Sequence, residues 1–200
     1  MRTQNTPRRP SPRWHARGGG YTGIALAASL RDSGGSALAC KMPDHPHNKL
    51  QADQPPLRPG LASVKGGEWA GWYHWEPVDS FEELAGPFYC QPDGAGIVCG
   101  FRPGDKNRNG GGNVHGGALM TFADYALFMI AGGMDTAFHG VTVTMNSEFV
   151  GAAQAGKVLL ARGEVTRAGG SLVFVRGMIT DEGRAVLTFS ATLKRLKPRA

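Results

Sequence analysis

Between residues 118 and 131 the chain reads Ala-Leu-Met-Thr-Phe-Ala-Asp-Tyr-Ala-Leu-Phe-Met-Ile-Ala, apolar on nearly every side of a helical period. Such a helix must be buried all round, so other elements have to wrap it. It is too short for a membrane span, which needs about 20 apolar residues. Gly132-Gly133 supplies its stop. Beyond it the period changes to two. Val141, Val143, Met145 and Phe149 alternate with Thr142, Thr144, Asn146 and Glu148. Leu159, Ala161 and Val165 alternate with Arg162, Glu164 and Thr166, and a further strand is expected over 172–180. Leu187, Phe189, Ala191 and Leu193 oppose Thr188, Ser190, Thr192 and Lys194. Turn residues at 155–156, 168–170 and 181–183 separate these runs, which predicts an antiparallel meander with one apolar face. Upstream, Asp79-Ser80 caps a short helix over 81–85 that Gly86-Pro87 stops. Two strands over 88–90 and 96–101 follow, joined at Pro92-Asp93-Gly94. The class is α+β: one antiparallel sheet wrapped around one long central helix. The sheet's edge and outer face need cover, which implies a homodimer, with a dimer of dimers as the next step.

No such period persists over residues 1–66, where Arg, Pro and Gly dominate; this stretch is expected to be a disordered basic extension, and 67–200 the folded domain. Order is expected to begin near Trp69, with Trp72, Tyr73 and Trp75 packing on the domain. The net charge of +6 sits mainly in front, with ten basic and five acidic residues over 1–78 against twelve and eleven over 79–200. The folded part therefore offers no electrostatic case for a nucleic-acid partner. The run 24–30 behind several arginines faintly resembles a targeting segment, but it is short and Arg31-Asp32 follows at once. A targeting segment, a disordered tail and a start assigned too far upstream stay open, with the cytoplasm as the expected compartment. Asp44-His45-Pro46-His47 reads as loop rather than a metal clip. Cys40, Cys90 and Cys99 contain no CxxC pair, so reduced thiols are expected and no metal or cofactor.

Candidate chemistry gathers where the glycine-rich loop 109–117 opens into the helix. A helix N-terminus offers free N–H groups and a positive dipole end, and glycine lets an oxygen approach closely. Gly116 and Gly117 fit that need. Asp124 is a carboxylate in a buried helix, costly unless it is paired, hydrogen-bonded or used. His115 and Asp124 are nine residues apart, on opposite sides of the helix, so one subunit cannot easily present both to one substrate. The loop is not a phosphate loop: no Gly-Lys-Ser/Thr ends it, and His115 stands where the third glycine of a dinucleotide fingerprint should be. Plainer readings exist for each candidate. Asp124 could be a paired structural acid, His115 a loop tie, and Thr142 a strand residue.

Asn109, the triplet His115-Gly116-Gly117, Asp124 nine residues after that histidine, and Gly140 to Asn146 together resemble the hotdog-fold acyl-CoA thioesterases of the 4-hydroxybenzoyl-CoA thioesterase superfamily, in particular the phenylacetic-acid-pathway type. The sister branch carries Glu at the acid position and Thr four residues on; here stand Asp124 and Phe128. The resemblance covers about 81–197. Ala152-Ala153 departs from it, where relatives often carry Pro before Ala. It implies an acyl-CoA thioester hydrolase with two composite sites per dimer. Asp124 would activate water, the Gly116 N–H would polarise the thioester carbonyl, and Asn109, His115 and Thr142 would surround them. Gly117, Phe149, the turn Arg167, Gly169, Gly170 and Ser171, and Lys194 would contact substrate, with coenzyme A part of that substrate. The alternative is a hotdog module that binds acyl-CoA without hydrolysing it.

Overall fold

The computed structural model describes residues 57–134 and 138–197. In chain order these form β1 (Leu61–Ser63), β2 (Tyr73–Trp75), α1 (Ser80–Ala85), β3 (Phe88–Asp93), β4 (Gly96–Phe101), a 3-10 turn (Asp105–Asn107), α2 (Gly116–Gly132), β5 (Gly140–Phe149), β6 (Leu159–Ala168), β7 (Leu172–Asp181) and β8 (Arg184–Arg195). The strands make one antiparallel sheet in the order β1-β2-β3-β4-β6-β7-β8-β5, and α2 packs against six of them. This is the hotdog architecture. Phe122, Leu127 and Met129 from α2 are fully buried against Phe101, Leu159, Ile179, Leu187 and Leu193 of the sheet. Each such side chain stabilises the fold by about 1.5–3 kcal/mol. Phe88, Phe101 and Phe122 form an aromatic triangle with ring centroids 4.9 to 5.4 Å apart.

Three expectations need correction. The four C-terminal strands are not a simple meander: β6 pairs with β4, and β5 crosses to the far side of the sheet to pair with β8. The link between β5 and β6 keeps the expected turn at 155–156 but runs over 150–158, longer than a tight hairpin. It is tied to the loop ahead of α2, through Val114 N–H to Ala153 O at 2.9 Å and a bridge between Asn113 and Gln154.

The faces of β5 also differ from the simple alternation. A bulge at Val143 lies between the Thr142–Leu193 and Thr144–Thr192 pairs. Leu193 is buried in the core, so Thr142 turns inward with Met145 and Ser147, while Val141 and Val143 are 45% and 53% exposed. One extra residue is enough to exchange the faces of a strand.

Order also starts earlier than residue 67. Leu61–Ser63 pairs with Tyr73–Trp75, and Arg58 is buried at the C-terminal end of α2. Its guanidinium donates to the Phe128 and Phe138 carbonyls at 3.3 and 2.7 Å and lies over the Trp75 ring at 4.7 Å. A cation there complements the helix dipole, although burial lowers the pKa of this arginine. Trp69 stacks on Tyr89 and meets Trp72 edge-on, so the aromatic cluster does pack on the sheet. Residues 24–30, Cys40, His45 and His47 lie outside the described residues.

Candidate active site

The loop ahead of α2 is held by amide side chains. Asn109 Oδ1 accepts from the N–H groups of Gly111 and Asn113 at 2.9 and 3.2 Å, which shapes the glycine-rich turn. Asn107, buried, accepts from Gly104 N–H at 2.9 Å and donates to Ala85 O at 2.7 Å. Its carbonyl receives the His115 N–H at 2.7 Å. His115 is the N-cap of α2, and its Nδ1 accepts from Gly117 N–H at 2.9 Å. The Gly117 donor is thereby occupied. The Gly116 N–H has no partner among the described residues. The ring of Phe149, at the end of β5, lies across Gly116; a methyl on that glycine would sit 3.0 Å from Phe149 Cε1.

Asp124 is half-buried on α2, and its Oδ1 accepts from Thr142 Oγ1 at 2.8 Å. The Val143 bulge is what turns that hydroxyl inward. Oδ2 of Asp124 has no donor among the described residues, which leaves it for a water. Thr142 pairs with Leu193, beside Lys194, and Lys194 pairs with Leu172. The turn after β6 is closed by Gly169 N–H to Leu172 O at 2.7 Å, and Arg195 N–H reaches Ser171 O at 2.8 Å. Arg167, Gly169, Gly170, Ser171 and Lys194 thus gather at the Thr142 end of the sheet. Neither Arg167 nor Lys194 forms an ion pair among the described residues.

The candidates therefore form two groups. Asp124, Thr142, Lys194 and the β6–β7 turn stand at one end of β5. His115, Gly116, Gly117 and Phe149 stand at the other, with Asn109 in the loop just ahead of them. Seven residues of strand separate Thr142 from Phe149, roughly 24 Å. Eight residues of helix separate Gly116 from Asp124, roughly 12 Å.

Two neighbours of this site had no signal in the sequence. Asn107 ties the His115 loop to α1. Glu82 on α1 carries a carboxyl whose pKa is raised to about 7 by burial, then by the charges of Asp79 and Asp124. Nothing in residue type or spacing pairs residue 82 with residue 124. Among the described residues no group of three His, Cys, Asp or Glu could hold a metal ion, and no helix is long and apolar enough to cross a membrane. Cys90 and Cys99 face each other across β3 and β4 as buried free thiols, and burial pushes the Cys90 thiol up to about 11.

One antiparallel sheet wrapped around one buried central helix defines a hotdog-fold protein. Residues 111–188 match the thioesterase superfamily. The Pseudomonas aeruginosa protein "Putative esterase PA0474" is 32% identical over 110 residues, 54% of this chain and 82% of that one. The E. coli PaaI protein from the phenylacetic acid degradation operon shares the fold, with a TM-score of 0.55 at 20% identity over 61% of this chain and 88% of that one. So does a hypothetical thioesterase of Streptococcus pneumoniae solved with coenzyme A, with a TM-score of 0.51 at 24% identity over 56% and 91% of the two chains. The chain belongs to the thioesterase superfamily and is a hydrolase of that superfamily.

Proposed function

We propose that the chain hydrolyses an acyl-CoA thioester to a free acid and coenzyme A, in a site shared between two copies. The observation that carries this reading is the Thr142–Asp124 hydrogen bond, which fixes one carboxylate oxygen and leaves the other free for water. Asp124 takes a proton from that water as it attacks the thioester carbon. The oxygen of the tetrahedral intermediate is held by the Gly116 N–H at the positive end of α2. Collapse of the intermediate breaks the carbon–sulfur bond and releases the thiolate of coenzyme A.

The separation of the two groups supports the shared site. Among the described residues β5 pairs only with β8, so its outer edge is open. Two copies pairing β5 to β5 antiparallel about a two-fold axis would set the Thr142 end of one against the Phe149 end of the other. Asp124 and the cationic turn of one subunit would then face Gly116 and Phe149 of its partner. Arg167 and Lys194 supply charge for the phosphates of coenzyme A, the ligand present in the S. pneumoniae relative. Asn109 and His115 serve the reaction by holding the loop and the helix start.

A hydrolysis assay over short, long and aromatic acyl-CoAs tests the reading. Turnover of at least one class is expected, with loss in Asp124→Asn. Binding of every class without turnover in the wild type would support the acyl-CoA-binding module instead.

A further inference from the structure

Cys90 and Cys99 have no place in the reaction just described, yet the β3–β4 hairpin sets them directly opposite one another. Opposed residues of an antiparallel pair share a face, and here both side chains are fully buried in the core that α2 fills. The hairpin also decides which kind of pair they form. Asp93 pairs with Gly96, so the loop is the two residues between them. Gly94 has a φ of 60° and Ala95 has no positive φ, the pattern of a type II′ turn. A two-residue loop of this kind closes on a hydrogen-bonded pair, and hydrogen-bonded and non-hydrogen-bonded pairs alternate from there. Pro92, which has no N–H to give, then falls at a non-hydrogen-bonded position opposite Ile97, as it must. Gln91–Val98 follows as a hydrogen-bonded pair, and Cys90–Cys99 as a non-hydrogen-bonded one.

At a non-hydrogen-bonded position the Cα atoms are about 4.5 Å apart and the side chains come closest. A disulfide spans Cα separations of about 4.4–6.8 Å. The two sulfurs can therefore be joined with little movement of either strand. Burial governs when this can happen. The Cys90 Sγ lies 3.6 Å from Tyr73 O on β2 and 4.0 Å from Met134 Sδ just beyond α2, while Cys99 pairs on its other side with Ala161 of β6. Burial pushes the Cys90 thiol up to about 11 and the Cys99 thiol well above its ordinary value. The attacking species in disulfide exchange is the thiolate, which in the folded chain is scarce and shut away from solvent. In the unfolded chain both thiols are exposed, with eight residues between them, a short loop that closes at little entropic cost.

We propose that Cys90 and Cys99 are a disulfide site whose state is set while the chain folds and is then kept by burial. One cysteine thiolate attacks a small-molecule disulfide such as oxidised glutathione. The reagent's sulfur–sulfur bond breaks, one glutathione leaves, and the other stays on the protein as a mixed disulfide. The second cysteine thiolate attacks the protein sulfur of that bond, the Cys90–Cys99 bond forms, and the second glutathione leaves. The protein gives up two protons and two electrons, and the reagent is reduced to two thiols. In a reducing compartment the same residues stay thiols and pack as small apolar side chains.

Two measurements on the full chain test this, and neither depends on hydrolysis. The first expresses the chain in one bacterial host with a reducing cytoplasm and in another with an oxidising one. Each product is unfolded in the presence of an alkylating reagent, weighed and mapped by peptide. The chain holds three cysteines. Three alkyl groups are expected on the first product. One is expected on the second, at Cys40, with Cys90 joined to Cys99. Free thiols at 90 and 99 in the second product, or a bond that uses Cys40, overturn the site. The second holds reduced protein in oxidised glutathione, folded or unfolded in denaturant, and follows the free thiols at 90 and 99. A thiol shifted from 9.0 to about 11 has about a hundredfold less thiolate, offset about tenfold by its greater nucleophilicity. The folded sample is therefore expected to lose these thiols at least about tenfold more slowly than the unfolded one. Equal rates overturn the claim that folding sets the state.

Discussion

Among the described residues Asp124 has one donor and one free oxygen, and the two call for different responses to mutation. Asp124→Asn keeps the shape and can keep the Thr142 contact, but it removes the base. The turnover number is expected to fall at least about a hundredfold, the lower bound for general-base catalysis. KM should move little, because the base acts in the transition state. The melting temperature should hold or rise, as is usual when a carboxylate is placed for function. A purely structural acid would reverse the pattern, with a lower melting temperature and near-normal turnover. Thr142→Ala removes one charge-assisted hydrogen bond, worth about 1.5 kcal/mol, so a milder loss of about tenfold is expected in kcat. Glu82 gives a different signature in stability. Its pKa is raised from 4.5 to about 7 by burial and by neighbouring anions. Between those values the unfolded chain binds fewer protons than the folded one, so stability falls as pH rises and the loss is complete above about 7. The melting temperature of the wild type should therefore drop between pH 5 and pH 8 more than that of Glu82→Gln. Asp124, Gly116 and Thr142 stood out as candidates in the sequence by residue type and position. The Glu82 neighbourhood was not, because it depends on where α1 is pinned.

The central helix and most strands could be read from periodicity, since burial on one face or on all faces is written into residue type. What could not be read was the exchange of faces on β5. The valines at 141 and 143 suit the core as well as Met145 does, and a bulge leaves no mark in composition. Its consequence is chemical, because the inward turn of Thr142 supplies the donor to Asp124. The partner of β5 was hidden too: turn residues at 155–156 fit a meander, while the crossover depends on contacts with the loop before α2. At the other end of the proposed site, Gly116 would turn the start of an element into a binding group. Gly116→Ala would place a methyl 3.0 Å from the Phe149 ring. That ring is exposed enough to swing aside, so the variant should melt close to the wild type. The methyl narrows the carbonyl's approach to the N–H, so kcat/KM is expected to fall about a hundredfold, the effect of losing one oxyanion donor. A large drop in melting temperature with full activity in the remaining folded protein would assign this glycine to packing instead.

At the scale of the molecule, chain length and assembly both bear on the site. A chain starting at Gly66 would lose β1 and Arg58, leaving the buried Phe138 carbonyl without its donor. Each buried group stranded in this way costs about 1–3 kcal/mol. Such a truncation should melt well below one that starts near Gln54, and equal melting temperatures would show that Arg58 is dispensable. The stronger test concerns the partner subunit. If Asp124 of one copy serves Gly116 of the other, each site draws on two chains. A dimer built from one Asp124→Asn chain and one Gly116→Ala chain then holds one site with both defects and one with neither. With two different affinity tags, co-expression and sequential purification isolate that heterodimer. It should show about half the wild-type activity per dimer, because two-fold symmetry provides two equivalent sites, while each parent homodimer shows about a hundredth or less. If Asp124 and Gly116 of the same chain formed a site, both sites of the heterodimer would be defective and no activity would return. A heterodimer no better than its parents, or a wild type that sediments as a fully active monomer at assay concentration, would place the whole reaction within one subunit.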